Sequence, residues 1–148
     1  MKAKVFVDAN ILVYCWDASE PGKQQQALAW MEYLWRQRTG RLSFQVLQEF
    51  YITVTAKLAP GLPREEAVAE VRTLLAWQPS VVDARTLEAA WLVQAQHRLG
   101  WWDALIVAAA HLAGCRYLLS EDFQDDQTLG QVRVVNPFRA DSAALFKP

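Results

Sequence analysis

Four carboxylates in this chain stand where a carboxylate needs a reason to be. Asp8 closes the run Val5-Phe6-Val7 and is followed by Ala9-Asn10-Ile11-Leu12. Burying a lone carboxylate is expensive, so an Asp with apolar neighbours on both sides needs a partner. Glu49 lies in Phe44-Gln45-Val46-Leu47-Gln48-Glu49-Phe50-Tyr51, and Asp103 in Trp101-Trp102-Asp103-Ala104-Leu105-Ile106. Asp122 belongs to Ser120-Glu121-Asp122-Phe123-Gln124-Asp125-Asp126, directly after the apolar run Tyr117-Leu118-Leu119. Each acid also has a plain structural role open to it. Asp8 or Asn10 can cap a short helix. Glu49 can share a solvated helix face with Gln45 and Gln48. Asp103 is favourable against a helix dipole, and the acidic loop can be surface.

Together the acids carry more meaning. Gathered in one pocket they would repel one another and push at least one pKa upward, and a bound cation would offset that. Hard divalent cations take oxygen ligands, usually one or two carboxylates plus water and substrate phosphate. Such an ion polarises a phosphate, activates water and stabilises the leaving oxygen. Phosphodiester hydrolysis fits this set better than proteolysis or glycoside cleavage. No Ser-His-Asp arrangement is evident, since neither His97 nor His111 lies in a motif. The histidines read as a helix-surface and a core-edge residue. Zinc would need Cys15, Cys115 and both histidines at spacings unlike its usual paired motifs, so the cysteines read as buried free thiols.

The elements that must position these acids alternate along the chain. Lys4 to Val7 reads as a buried strand ending at Asp8, and Ile11 to Trp16 as a short helix. Glu20-Pro21-Gly22 is a turn signal. Lys23 to Arg38 has helical spacing and Gly40 ends it. Arg41-Leu42-Ser43 is a candidate strand. Phe44 to Leu58 reads as a helix stopped by Pro60-Gly61-Leu62-Pro63. Arg64 to Trp77 is the clearest amphipathic helix, with Ala67, Val68, Val71, Leu74 and Leu75 on one side. Ser80-Val81-Val82 is another candidate strand. Ala84 to Leu99 reads as a helix closed by Gly100, and Trp102 to Ala113 as a helix buried on most sides and capped by Gly114. Tyr117 to Ser120 and Val132 to Val135 complete the strands. This alternation predicts an α/β fold with a central, mainly parallel sheet flanked by helices. In such sheets, sites form at the carboxyl ends of strands, where Asp8 and Ser120 fall.

The chain has 148 residues, enough for one domain with its own core. Its formal net charge of −1 tells against a non-specific nucleic-acid coat, while leaving room for a cation-assisted nuclease with a local basic patch. Arg36, Arg38 and Arg41 are the candidate patch for RNA backbone, or a solvated helix end. The apolar run before Asp8 is too short for a signal peptide. No apolar run reaches the roughly 18 residues that a membrane span needs. The expected compartment is the cytoplasm.

Taken in order, these motifs resemble the PIN-domain proteins. Val7-Asp8-Ala9-Asn10-Ile11-Leu12 looks like the family's opening motif. Glu49 in a Gln-Glu-Phe-Tyr helix, Trp102-Asp103-Ala104-Leu105-Ile106 and Leu119-Ser120-Glu121-Asp122 follow in the family's order and approximate spacing, from residue 5 to about 135. The subgroup most similar is the VapC-type toxins of toxin–antitoxin pairs. The resemblance implies a PIN-like three-layer fold over residues 1–138, with 139–148 as a C-terminal tail. It implies an Mg²⁺-dependent endoribonuclease, with Mn²⁺ as an alternative, leaving a 5′-phosphate and a 3′-hydroxyl. Asp8, Glu49, Asp103 and Asp122 would form the acidic pocket. Asp8 and Asp103 would be the direct metal ligands, with Glu49 and Asp122 acting through water, at a second metal or on the attacking water. Asn10 and Ser120 would hold the carboxylates by hydrogen bonds. Asp125 or Asp126 could stand in for Asp122, whereas Glu121 should point the other way if the strand extends.

The same resemblance implies a homodimer and a cognate antitoxin that lays a helix into an apolar groove. Seven tryptophans suit such contact surface. Trp30, Tyr33, Leu34 and Trp35 cannot all face one core stripe, so their helix is a candidate partner surface. Two other readings compete. A catalytically silent PIN-like domain would bind RNA or protein, but all four acids are present. A phosphatase-like doubly wound domain would want a late lysine, and after Lys57 the next is Lys147; its dehalogenase-type form would also want Asp where Asn10 stands.

Overall fold

The computed structural model describes residues 2–139. Five strands form one sheet: β1 (Val5–Val7), β2 (Gly40–Arg41), β3 (Tyr117–Leu119), β4 (Thr128–Leu129) and β5 (Val132–Val135). Their order is β2-β1-β3-β5-β4. The first four run parallel, with Val5 level with Gly40 and Tyr117, and Val7 level with Leu119. Only β4 is antiparallel, folding back on β5. All three residues of β1 and of β3 are buried. Successive residues of a strand face opposite sides, so the centre of the sheet is covered on both faces. Among the described residues six α-helices supply the cover: α1 (Ala9–Tyr14), α2 (Pro21–Gln37), α3 (Phe44–Ile52), α4 (Arg64–Leu74), α5 (Ala84–Gln96) and α6 (Trp101–Leu112). This is the mainly parallel α/β architecture expected. Among the described residues, no helix is long and apolar enough to cross a membrane.

The core joins β1, β3 and β5 to α1, α2, α3, α4 and one side of α6 through Phe6, Ile11, Leu34, Phe50, Leu74 and Leu118. A second cluster of Ala90, Ala104, Leu105 and Ala108 lies between α5 and α6, where small side chains let the two backbones approach. From Ala104 to Ala110 every residue of α6 is buried, so its polar contribution is confined to its two ends.

Several local expectations need correction. The turn signal at Pro21 is the start of α2. Proline suits the first helical position because the missing N–H would have had no partner there. Arg38 ends α2 in the left-handed conformation (φ 58°), not Gly40. Gly40 is a β2 residue where a Cβ would stand 2.3 Å from the Trp77 ring. Gly100 is the N-cap of α6 and closes nothing behind it. Gly114 does take the left-handed C-terminal position, φ 73°. The helix from Phe44 relaxes into a π-turn over Thr53–Lys57, and the helix from Arg64 ends in a 3₁₀ turn over Leu75–Trp77. Leu75 therefore leaves the apolar stripe and is exposed. Ser80-Val81-Val82 is no strand: Ser80 makes one bridge to Ser43, and both valines face solvent. Of the α2 aromatics, Trp30 and Leu34 are buried, while Trp35 is partly exposed and packs against Trp77. His97 is half-buried at the end of α5, and His111, expected at the core edge, is exposed. Both cysteines are buried free thiols, each pushed up to about 12 by burial. Of the tail expected at 139–148, residues 140–148 lie outside the described residues.

Candidate metal-binding acidic site

Asp8 is the first residue after β1. Its backbone N–H donates to Leu119 O at 3.0 Å, which fixes it level with the end of β3. Its side chain caps α1, with Ala9 N donating to Oδ1 at 2.8 Å. Ser120, the residue after β3, is fully buried and donates its hydroxyl to Asp8 Oδ2 at 2.8 Å. The two residues meet because β1 and β3 are adjacent and parallel, and both chains turn at the same level.

Asn10 joins this pair to the loop beyond. Its Nδ2 lies 3.3 Å from Asp8 Oδ2, 3.1 Å from Ser120 Oγ and 3.0 Å from Asp122 Oδ2. Its Oδ1 accepts the Glu121 N–H at 3.2 Å. Asp122 N–H in turn donates to Ser120 Oγ at 3.1 Å. One amide side chain thus holds the first acid, the hydroxyl and the loop acid together.

The other two acids arrive from helices. The carboxy end of α6 leads through Gly114 into the amino end of β3, so α6 begins at the opposite, carboxyl end of the sheet. There Asp103 stands in the first turn. Ser43 caps α3, and Glu49 sits one turn after Gln45. Gln45 Nε2 donates to Glu49 Oε1 at 3.1 Å and to Trp102 O at 3.2 Å, tying α3 to the start of α6. Gln45 is a positioning residue and not only part of a solvated helix face, and its four-residue spacing to Glu49 is the signal in the sequence that points to it.

Burial pushes the Asp8 carboxyl up to about 6, against the lowering effect of the bonds from Ser120 and Ala9 N; the charges of Glu49 and Asp122 push it further up. Asp103 is raised by partial desolvation and then by the Asp122 charge. Glu49 and Asp122 thus act on Asp8, and Asp122 on Asp103. Among the described residues, none of the four is in an ion pair with Lys or Arg.

The remaining acids of the loop are committed elsewhere. Asp125 accepts the Asn136 N–H at 2.7 Å and pairs with Arg139 at 3.0 Å. Asp126, at φ 64°, pairs with Arg133. Glu121 is bonded to Tyr14 and Lys23, and β3 ends at Leu119, short of the extension that would set it opposite Asp122. The three arginines do not join the acids either. They gather where α2 runs into β2, level with Val5, at the amino end of the sheet. There Arg36 pairs with Glu32, and Arg41 donates to the carbonyls of Arg38 and Gly40. The reason is topological: a helix entering a parallel strand delivers its end to the amino edge, the far side from Asp8.

The donor set suits a hard cation. It offers carboxylate oxygens without thiol or imidazole, and it carries like charges that, among the described residues, no Lys or Arg pairs with. Among the described residues, no three acid, His or Cys side chains close on a single point. An ion here would take one or two carboxylates and complete its shell with water, which is the habit of Mg²⁺. Beside the acids runs an apolar groove of about 750 Å³. Glu49 forms part of its wall, with Phe44, Gln45, Trp101, Trp102 and Val82 among the rest.

Comparison with known proteins agrees with this architecture. No curated protein matches the sequence. Among solved structures, one chain of the crystal structure of FitAcB from Neisseria gonorrhoeae superposes with a TM-score of 0.59 at 17% identity, covering 90% of this chain and 98% of that one. At that identity the likeness speaks to the fold. The sequence profile of the PIN domain matches residues 5–127, most of the chain. The chain belongs to the PIN domain family.

Proposed function

We propose that this protein is a divalent-cation-dependent endoribonuclease, acting in the cytoplasm as the toxin of a toxin–antitoxin pair. The observation that carries the reading is the network in which Asn10 and Ser120 bind Asp8 and Asp122 at the carboxyl end of the sheet, with the charge of Glu49 acting on Asp8 and that of Asp122 on Asp103. Asp8 and Asp103 serve as direct ligands of Mg²⁺ or Mn²⁺. Glu49 and Asp122 act through water, complete a second site or orient the attacking water. Asn10 and Ser120 hold the carboxylates in place. Bound here, the cation supplies Lewis-acid activation of the phosphate and of water. The protein's own acids fix the line of attack on an RNA phosphodiester, leaving a 5′-phosphate and a 3′-hydroxyl.

The groove beside Glu49 gives RNA a path to the acids, since its aromatic and amide side chains suit nucleobases. Trp102 is 67% exposed, directly next to Asp103. Arg36, Arg38 and Arg41, at the other end of the sheet, are left out of this path. Val81, Val82, Trp91 and Leu92 are also exposed, and this apolar surface supports a second copy of the chain and an antitoxin helix as partners. The catalytic unit is residues 1–138.

The test is incubation of purified, antitoxin-free protein with total RNA, in Mg²⁺ or chelator, beside Asp103→Asn. Cleavage should require the cation. It should fall in the variant by more than the roughly 10–100-fold that losing an indirect partner costs, with the fold intact. Equal cleavage by both proteins would refute the assignment.

A further inference from the structure

Residues 120–122 are held by two sets of contacts, and only one set belongs to the acidic site. In that set, Asn10 and Ser120 bind Asp122. In the other, the Glu121 carboxylate accepts from the Tyr14 hydroxyl and from Lys23 Nζ, the latter at 2.8 Å. Lys23 Nζ also donates to Tyr14 Oη at 3.3 Å. The ammonium lies 4.9 Å from the centre of the Tyr14 ring and 5.2 Å from that of Phe138. The two rings meet edge to face, with centroids 5.0 Å apart. Three separate segments therefore converge on a lysine in the first turn of α2: the end of α1, the loop after β3 and the stretch after β5.

We propose that this Lys23 clasp on Glu121 positions Asp122, so that Lys23 sets the affinity of the acidic site for a divalent cation without touching it. β3 ends at Leu119 and the chain bends over residues 121–123, where Glu121 and Asp122 are consecutive. Anchoring the Glu121 side chain therefore restricts the stretch of backbone that carries Asp122. An ordinary surface ion pair would not hold a loop, because two long side chains lose entropy and gain little in water. This pair is different. The Lys23 and Glu121 side chains are 36% and 22% exposed, the ammonium lies over two aromatic rings, and the hydroxyl of Tyr14 ties the carboxylate at its other oxygen. Asn10 and Tyr14 also share α1, so both sets are braced from one short helix.

The inference rests on the proposed function, and the test separates the two. Full-length wild type, Lys23→Met, Lys23→Arg, Tyr14→Phe and Glu121→Gln would be titrated with Mn²⁺ by calorimetry. Hydrogen exchange would be followed at the amides of Glu121 and Asp122. Lys23→Met should weaken Mn²⁺ binding about 10-fold or more, in the range for residues that orient a metal's ligands. It should also speed exchange at both amides, and at saturating Mn²⁺ leave the KM for RNA unchanged. Lys23→Arg keeps charge and ring contacts and should recover most of the affinity. Tyr14→Phe keeps the ring and serves if Lys23→Met fails to fold. The double variant Lys23→Met/Glu121→Gln should lose no more than the worse single one. Unchanged Mn²⁺ affinity and exchange in Lys23→Met, beside a wild type that binds Mn²⁺, would overturn the clasp alone. A wild type that binds no Mn²⁺ would overturn the nuclease reading and with it the clasp's role in cation affinity.

Discussion

Replacing Asp8 by Asn tests whether the first acid is held in the protein against its own charge. A carboxyl raised from 3.8 to about 6 binds its proton more tightly folded than unfolded. The unfolded chain releases that proton as pH passes 3.8, whereas the folded protein resists until about 6. Stability linked to Asp8 is therefore complete below 3.8 and lost as pH rises through 6. At about 1.36 kcal/mol per pH unit the whole effect is about 3 kcal/mol, and about 2–3 kcal/mol of it falls between pH 4 and pH 7.5. An Asn at this position still caps α1. Its amide would, however, face Asn10 Nδ2 and the Ser120 hydroxyl, a constant cost of about 1–3 kcal/mol. The diagnostic is the pH dependence of the difference between the two proteins. Urea unfolding in chelator at pH 4, 5.5 and 7.5 should show Asp8→Asn gaining on wild type by about 2–3 kcal/mol across the range. A difference that stays flat, or moves the other way, would refute the burial of an uncompensated charge at Asp8.

Two further substitutions examine the supports of the site. Ser120→Ala leaves the Asp122 N–H and one Asp8 oxygen without their shared hydroxyl. It should cost about 1–3 kcal/mol in urea unfolding and raise the Asp8 carboxyl further, readable by NMR titration. Gly40→Ala drives a methyl into the Trp77 ring. It should cost about 1–3 kcal/mol and quench or shift tryptophan fluorescence, while leaving the acids at the far end of the sheet unaffected.

The parts of this fold that were legible in the sequence are those whose burial is total. Val5–Val7 and Tyr117–Leu119 are apolar because both faces are covered, Val132–Val135 departs from this only at half-buried Arg133, and α6 is apolar from Ala104 to Ala110 because that stretch is enclosed. Ser80-Val81-Val82 has the same composition but no neighbouring strand over most of its length, so composition misleads there. Two-residue β4 leaves no periodicity to read, and Pro21 reads equally as turn or first helical residue. The acids were visible one by one from their apolar settings. Their convergence follows from strand order, which no local pattern encodes. For the same reason, the choice among Asp122, Asp125 and Asp126 needed the loop's geometry. Arg133, Arg139 and the Asn136 N–H draw the last two away.

The edges of the sheet are its least conspicuous feature, and they bear on how this protein behaves at high concentration. Each outermost strand, β2 and β4, is two residues long. Beyond β2 the backbone is already engaged, with Phe44 N–H donating to Ser80 O and Ser80 N–H to Leu42 O. Unpaired strand edges are templates on which chains stack into fibrils or borrow strands from one another. Among the described residues such a template is almost absent, despite an interior rich in β-branched residues. Self-association of the folded protein is therefore steered toward side-chain contacts on helices, which are specific and saturable, and away from open-ended backbone pairing.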